Sequence, residues 1–250
     1  MTIWLIGGTS ESVSLSKALS SLSLPCVISV TTPAALDLYP SHPCLKVVAG
    51  FITPHTLSHF CIINGIKIII DASHPYAVEI SRLAMSCDLP YLRYERKPVE
   101  GDDSTLELDS FPALLDAHYL AGERVLLTVG CKALGLFKAW HDRSCLFARV
   151  LPVVNSIIAA GSAGFTSDRL IALRPPIGED LERAIWLGWN ISTVVTKANG
   201  AAGGEEVKRK LARELGVSLI VIRRPPVIYP RQTDKINDVI SFCKSYYSYV

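Results

Sequence analysis

Short apolar runs of strand length alternate with helix-period segments along the whole of this 250-residue chain. The first run, Thr2–Ile6, leads through two glycines into a segment where Val13, Leu15 and Leu19 recur at helical spacing. A later run, Ile66–Asp71, is apolar on both faces, as a central strand of a parallel sheet should be. The alternation predicts an α/β fold with mainly parallel sheets flanked by helices.

The length suits either one large domain or two of roughly 100 to 130 residues. A charged, turn-rich stretch at 95–103, with Pro98 and Gly101, is the best candidate for a linker, and a second set of strand–helix units follows it. We therefore predict two domains, 1–100 and 101–250. Right-handed crossovers place ligand loops at the carboxyl ends of parallel strands, so we expect the two halves to face each other across a cleft.

Composition excludes several classes of protein. Mean hydropathy is +0.31, too high for a disordered chain. The net charge of +2 is too small to indicate a nucleic-acid binder.

The apolar run at 60–72 is too short for a bilayer, which needs about 20 residues, so we expect no membrane span. The seven cysteines form no Cys-x-x-Cys pair, and the first residues lack the features of a secretory signal. We expect reduced thiols and a cytoplasmic protein.

The segment Gly7-Gly8-Thr9-Ser10-Glu11 lies between the first strand and its helix. At such a position backbone amides and the helix dipole can hold a pyrophosphate. The full G-x-G-x-x-G spacing is absent, and a tight turn alone would also select glycine. The segment therefore predicts either a phosphate-binding turn or a purely structural one.

The end of the second strand reads Ser29-Val30-Thr31-Thr32-Pro33. A fold that selects NAD usually carries a carboxylate there, which bonds the ribose hydroxyls and repels a 2′-phosphate. Its absence favours NADP, with Thr31 as a cofactor contact. No arginine stands there either, and Asp37 follows a few residues later.

The segment Asp71-Ala72-Ser73-His74-Pro75-Tyr76 ends the most apolar strand of the first half. Polar groups at that edge point toward a ligand in folds of this class. His74 is accordingly a candidate catalytic residue. The competing interpretation makes it a locally bonded residue at a helix start, with Ser73 as the N-cap.

Basic residues follow two strands at their predicted ligand edges: Arg93, Arg96 and Lys97 after one, and Arg223, Arg224 and Arg231 after the other. Arginine pairs with carboxylates bidentately, so these clusters suit a polycarboxylate ligand, although surface solvation explains each of them equally well. The glycine-rich stretch at 197–205 is either a second anion site at a helix start or a flexible connection.

Several constellations are missing from the sequence. No tyrosine has a lysine four positions later, and there is no Walker loop, nucleophile elbow or metal-ligand cluster. We therefore expect neither covalent catalysis nor a protein-bound metal.

Four segments together resemble the precorrin-6A reductase and cobalt-precorrin-6A reductase family. They are Gly7–Glu11, Asp71-Ala72-Ser73-His74-Pro75-Tyr76-Ala77, Arg93-Tyr94-Glu95-Arg96-Lys97-Pro98, and Lys197-Ala198-Asn199-Gly200 followed by Gly203-Gly204. The resemblance implies two Rossmann-like halves, the first binding the dinucleotide and the second completing a cleft. It also implies an NADP-dependent oxidoreductase that reduces a double bond of the precorrin-6A tetrapyrrole in cobalamin biosynthesis.

The resemblance also implies roles for individual residues. The pyrophosphate and adjoining ribose would contact Gly7, Gly8, Thr9, Ser10 and Glu11, and the nicotinamide end would contact Ser73, His74 and Pro75. Lys197, Asn199 and Gly200 would reach the cofactor from the second half, and Arg93, Arg96 and Lys132 would hold substrate carboxylates. Other enzymes of the pathway are candidate partners.

Two further interpretations stay open at this point. One is a dinucleotide-binding regulatory protein without turnover. The other is an NADP-dependent reductase or epimerase of a small metabolite. The sequence leaves open whether the macrocycle carries cobalt and which oligomeric state the chain adopts.

Overall fold

The alternating pattern folds into two six-stranded parallel sheets flanked by helices, which confirms the predicted fold class. These features come from a computed structural model that describes residues 1–101, 104–116 and 118–247. The chain divides into unit 1, which holds Met1–Lys97 and the segment from Pro226, and unit 2, which holds Pro98–Pro225.

The N-terminal part of unit 1 supplies five strands and three α-helices. In chain order they are β1 (Thr2–Ile6), α1 (Ser10–Ser21), β2 (Cys26–Val30), β3 (Leu45–Ala49), α2 (Pro54–Ile63), β4 (Ile66–Asp71), α3 (Val78–Met85) and β5 (Tyr91–Tyr94). A 3₁₀ helix, Pro33–Leu38, connects β2 with β3. Before α3 begins at Val78, the Ala77 amide closes a turn onto the His74 carbonyl at 2.7 Å.

Unit 2 repeats the same alternation. Its elements are β6 (Thr105–Leu108), α4 (Phe111–Leu115), β7 (Arg124–Leu127), α5 (Cys131–Leu134), β8 (Cys145–Val150), α6 (Val154–Ser162), β9 (Leu170–Ala172), α7 (Glu179–Gly188), β10 (Thr193–Lys197), α8 (Glu205–Leu215) and β11 (Ser218–Ile222). The four-residue helix α5 is continued by a 3₁₀ helix, Gly135–Trp140.

The C-terminal segment carries β12 (Gln232–Thr233) and α9 (Ile236–Tyr247). The domain prediction had placed it in the second domain, with all of 101–250, but in the structure it packs with unit 1. β12 pairs with β5, and Val239, Phe242 and Cys243 of α9 are buried in the same core as β1 and α1. The predicted linker is described only in part, since Asp102 and Asp103 lie outside the described residues.

The order of strands in each sheet shows where the chain crosses between units. Unit 1 runs β12-β5-β4-β1-β2-β3, and unit 2 runs β6-β11-β10-β7-β8-β9. Read from the other end, unit 1 has the order β3-β2-β1-β4-β5 and unit 2 the order β9-β8-β7-β10-β11. When the strands are numbered within each unit, both are the order 3-2-1-4-5 of a dinucleotide-binding fold. The sixth strands are exchanged: β6 follows β5 in the chain yet joins the sheet of unit 2, and β12 follows β11 yet joins unit 1.

Each sheet is covered on both faces by its own helices. In unit 1, for example, Trp4 packs on one face and Leu5 on the other, and both are fully buried. This explains why the central strands are apolar throughout.

Candidate functional site

In unit 1, most of the predicted site residues lie at the carboxyl edge of the sheet. Because the strand pairings there are parallel, the segments that follow β1, β2, β4 and β5 leave the sheet on the same side. These segments are the glycine turn, Thr31, the residues around His74, and Arg96. Thr31 is exposed, directly after β2.

The glycine turn after β1 combines a positive φ with open space. Gly8 has a φ of +97°, a backbone conformation that residues other than glycine rarely adopt. No atom from another part of the chain lies within 4 Å of the position that a Cβ would take there. Thr9 caps α1, since its Oγ1 accepts a hydrogen bond from the Ser12 amide at 3.1 Å. The same hydroxyl donates to the Ala72 carbonyl at 2.8 Å. The turn is therefore joined to the segment that follows β4.

This turn fits the pyrophosphate of a dinucleotide. The open face at Gly8 would be filled by any Cβ, and it stands at the N-terminus of a 12-residue helix. The first-turn amides of a helix have no partner within the helix, and the helix dipole favours an anion there. The residues present are thus suited to hold a nicotinamide dinucleotide.

Glu11, in the first turn of α1, has its charge balanced by Arg96. An ion pair of 2.8 Å joins Arg96 Nη2 to Glu11 Oε2, and both side chains are largely shielded from solvent. Pairing of this kind lets a carboxylate stand beside a phosphate site without repelling it as a bare charge would. In this structure Arg96 makes a contact within unit 1, and its role toward substrate carboxylates stays a prediction.

Arg93, which the sequence indicates as a substrate contact, lies in the interior of unit 1. Its Nη1 donates to Asp71 Oδ1 and to Ser73 Oγ, both at 2.9 Å, and its Nε donates to Glu95 at 2.8 Å. The side chain is only 1% exposed, and Tyr229 lies 5.2 Å from its guanidinium carbon. Arg93 is thus a structural group beneath the site, because it is already enclosed by its own partners.

The Asp71 carboxylate at the end of β4 is fully buried and holds the segment that follows it. It accepts from the Ser73 amide at 3.0 Å and from the Tyr91 hydroxyl at 2.6 Å, besides Arg93. Burial, and then the neighbouring Asp71, raise the pKa of Tyr91, so this phenol stays protonated and donates.

His74 is half-buried in the turn between β4 and α3. Its Nδ1 accepts from the Tyr76 amide at 3.3 Å, and its ring lies 5.7 Å from that of Tyr76. His74 is therefore bonded locally, as the competing interpretation of this residue expected. The expectation that Ser73 is the N-cap is wrong, because α3 begins at Val78 with Ala77 as its N-cap, and Ser73 bonds Arg93 instead.

Sequence reasoning missed Tyr39, which touches the glycine turn from a distant part of the chain. Its Oη accepts a hydrogen bond from the Gly8 amide at 2.7 Å. Tyr39 follows the 3₁₀ helix Pro33–Leu38 and is buried. No spacing rule connects residues 31 positions apart, so no local signal pointed to it.

In unit 2, Lys132 and Lys197 lie at the carboxyl edge of the second sheet. Lys197 ends β10, with its Nζ 5.7 Å from the centre of the Phe111 ring, and Lys132 is exposed on α5. Burial, then the charge of Lys132, lower the pKa of Lys197, whereas Cys131 raises it. The structure therefore brings together two of the predicted unit 2 residues.

The glycine-rich loop after β10 is shaped by the first turns of α8. The Gly200 amide donates to Glu205 Oε2 at 2.9 Å, and Lys208 Nζ donates to the carbonyls of Gly203 and Gly204 at 3.0 and 3.1 Å. A Cβ on Gly203 would lie 2.2 Å from that of Asn199. The loop thus has defined internal contacts and is more than a flexible connection.

The described residues contain neither a membrane-spanning helix nor a cluster of metal ligands. No helix among them is long and apolar enough to cross a membrane. Within the same residues, no group of three or more His, Cys, Asp or Glu side chains could hold a metal ion.

Comparison with known proteins identifies the family. A family model described as Precorrin-6x reductase CbiJ/CobK matches residues 2–244. The chain is 45% identical to a cobalt-precorrin-6A reductase of Synechocystis sp., covering 97% of this chain and 96% of the relative. It is 32% identical to the enzyme of the same name in Salmonella typhimurium, covering 89% and 87%.

A solved structure named CobK precorrin-6A reductase has the same fold. It superposes with a TM-score of 0.79 at 22% identity and covers 98% of this chain and 96% of its own. Since the family model extends over nearly all of the sequence, this chain belongs to the precorrin-6x reductase family CbiJ/CobK.

Proposed function

We propose that this protein is an oxidoreductase that uses NADPH to reduce one double bond of the precorrin-6A macrocycle in cobalamin biosynthesis. The observation that carries the proposal is the open Gly8 turn, bonded through Thr9 to the His74 segment at one sheet edge, in a chain of this family. The cofactor would supply a hydride to an electron-poor carbon of the conjugated ring, and a proton from water or a nearby side chain would complete the reduction.

The residues of the turn would bind and orient the cofactor. Gly7 and Gly8 give backbone surface, Thr9 fixes the start of α1, and the first-turn amides at Ser10 and Glu11 face the pyrophosphate. Ser73, His74 and Pro75 would line the nicotinamide end. The Thr9–Ala72 hydrogen bond supports this assignment, because it fixes the spacing between these two segments.

The preference for NADPH over NADH rests on the end of β2. Thr31 and Thr32 are exposed there, and the strand ends without a carboxylate that would repel a 2′-phosphate. Asp37, a few residues on, is exposed as well. Affinities measured for the two cofactors side by side test this preference, and equal affinities would remove it.

In unit 2, Lys132 keeps its proposed role toward substrate carboxylates because its side chain is exposed. Lys197, Asn199 and Gly200 keep their proposed role toward the cofactor. The electrostatic effect of Lys132 on Lys197 supports a local positive potential, which suits an anionic ligand.

We further propose that the natural substrate carries cobalt, because the relative with 45% identity is named for cobalt-precorrin-6A. The test is anaerobic mixing of the protein and NADPH with precorrin-6A, with and without cobalt. Nicotinamide absorbance and the macrocycle spectrum are followed together. Faster NADPH oxidation with the cobalt form supports the assignment, and faster oxidation with the metal-free form reverses it.

The same experiment separates the other interpretations. A regulatory dinucleotide-binding protein would bind NADPH without oxidising it with either macrocycle. A reductase of a small metabolite would leave both macrocycles unchanged yet oxidise NADPH with a compact carbonyl or imine.

Replacement of His74 by alanine tests the proposed reactive end. Since His74 would line the reacting groups, we expect kcat to fall about 10- to 100-fold while the unfolding temperature changes little, because the side chain is only half-buried. His55→Ala, on the exposed side of α2, is the matched control. Unchanged steady-state kinetics in His74→Ala would remove His74 from the site.

A further inference from the structure

The Tyr39 hydroxyl belongs to a directed chain of hydrogen bonds around the glycine turn. Ser12 Oγ donates to the Thr9 carbonyl at 2.7 Å, which uses its single hydrogen. The 2.7 Å contact between Ser12 Oγ and Tyr39 Oη must then be donated by Tyr39. Tyr39 Oη in turn accepts from the Gly8 amide at 2.7 Å. The proton positions are thus settled along the whole path from Gly8 to Thr9.

Gly7 is small because Tyr39 approaches it closely. A Cβ on Gly7 would lie 2.3 Å from Tyr39 Oη and 3.0 Å from Ile28 Cγ2. Its neighbour Gly8 differs, since it faces open space and is required for its positive φ. The two glycines therefore serve different purposes: Gly7 admits the tyrosine hydroxyl, and Gly8 leaves a bare backbone surface.

The Gly8 amide is not available to a phosphate while Tyr39 holds it. An anion at this turn would then be bound by the first-turn amides of Ser10 and Glu11, over the surface left open at Gly8. Burial raises the pKa of Tyr39, although its bonds to Ser12 and Gly8 partly oppose the shift. The phenol therefore remains a neutral donor and acceptor.

We propose that Tyr39 is a positioning residue for cofactor binding, whose hydroxyl fixes the Gly7–Gly8 turn in the conformation that receives the dinucleotide pyrophosphate. This inference rests on the proposed function, because it assumes that the turn binds NADPH. Tyr39 also follows the 3₁₀ helix that leaves β2. It thereby links the segment next to Thr31 with the pyrophosphate turn.

Tyr39→Phe in the full chain tests the proposal, because it removes the hydroxyl and keeps the buried ring. We expect the NADPH dissociation constant, measured by nicotinamide fluorescence, to rise about tenfold, with kcat at saturating NADPH changed less than twofold. Tyr247→Phe is the matched control. It removes a hydroxyl that donates to the Met1 carbonyl at 2.9 Å, at the opposite end of β1.

The outcomes separate this inference from the proposed function. If the unaltered protein fails to bind NADPH, the proposed function fails. If it binds NADPH and the two phenylalanine variants bind equally well, or are weakened equally, the role of Tyr39 is wrong. Should Tyr39→Phe not fold, Ser12→Ala breaks the next link of the chain and carries the same comparison.

A double variant gives an independent readout. Gly7→Ala alone should abolish NADPH binding, because its methyl group would meet the tyrosine hydroxyl. Added to Tyr39→Phe, the same change should cost much less affinity, since the closest remaining contacts are 3.0 and 3.2 Å. Equal losses in both backgrounds would overturn the proposed contact.

Discussion

At the scale of single residues, Arg93 shows how burial decides the role of a charged side chain. Burial by itself would lower the pKa of the Arg93 guanidinium, but the charges of Asp71 and Glu95 more than offset it, and the pKa is raised. The fully buried Asp71 depends on this cation in return. A buried carboxylate left without its partner is strongly destabilising.

Arg93→Gln should therefore lower the free energy of unfolding by about 3–5 kcal/mol, measured by urea denaturation. Arg82→Gln, which removes an exposed arginine from α3, should change it by less than about 0.5 kcal/mol. If Arg93→Gln instead left stability intact and raised only the KM for the macrocycle, Arg93 would be the substrate contact that the sequence first indicated.

The sequence predicted the locations of site residues better than their partners. Gly7, Thr9 and His74 could be placed at the carboxyl edge of the sheet because they follow strands that alternate visibly with helices. The burial of Arg93 could not, because a basic residue after a strand looks the same whether it points to solvent or to Asp71. Tyr39 was missed because its contact with Gly8 is long-range in sequence and exists only once the chain has folded.

At the scale of elements, α8 shapes the glycine-rich loop with its own side chains. Glu205 holds the Gly200 amide, and Arg209 holds Glu205 through two hydrogen bonds of 2.9 and 3.1 Å. Lys208, one position earlier, is buried, and burial followed by the charge of Arg149 lowers its pKa to about 8. The loop is thus stabilised by hydrogen bonds from Lys208, although burial of this lysine disfavours its charged form.

The pH dependence of stability tests this description of Lys208. Between pH 8 and 10.5 the unfolded lysine is protonated and the folded one is not, so unfolding takes up a proton. The contribution of Lys208 to the unfolding free energy therefore rises with pH across this window, by about 3 kcal/mol at most, and is constant below it.

Urea denaturation of the unaltered protein and of Lys208→Met from pH 7 to 10.5 measures this contribution. The unfolding free energy of the unaltered protein minus that of Lys208→Met should rise with pH above 8. Lys210→Met, which removes a half-exposed lysine from the same helix, should show no such growth. A constant difference for Lys208→Met would mean that Lys208 has an ordinary pKa.

Element boundaries were predictable where the apolar pattern was strong. β1 and β4 have the bounds that the sequence indicated. β6 was missed because it stands beside the charged stretch taken as a linker, and β12 because two residues carry no periodicity. The packing of α9 on unit 1 could not be predicted either, because the apolar face of a helix does not reveal which sheet it will cover.

At the scale of the whole molecule, the exchanged sixth strands make the two units unequal as pieces of chain. All six strands of unit 2 come from the continuous segment 98–225. Unit 1 needs both chain ends, since β12 and the buried Val239, Phe242 and Cys243 come from the C-terminal segment. Val239 and Phe242 alone are worth about 2 kcal/mol each, a large part of the ~5–15 kcal/mol that stabilises a domain.

Fragments should show this inequality directly. We expect residues 98–225 alone to fold cooperatively and residues 1–97 alone to remain unfolded, as judged by circular dichroism and hydrogen exchange. Joining residue 226 to residue 97 through a short linker, with 98–225 deleted, should restore the fold of unit 1. Cooperative folding of 1–97 by itself would show that β12 and α9 are dispensable.

The exchange of strands also sets an order of events on the ribosome. The first 97 residues emerge early but lack β12 and α9 until residues 226–247 have been made. Unit 2 has its full complement of strands once residue 225 has left the exit tunnel. Unit 2 should therefore reach its native state before unit 1, although most of unit 1 is made earlier. Until β12 is made, the exposed edge of the unit 1 sheet at β5 must be kept from aggregating.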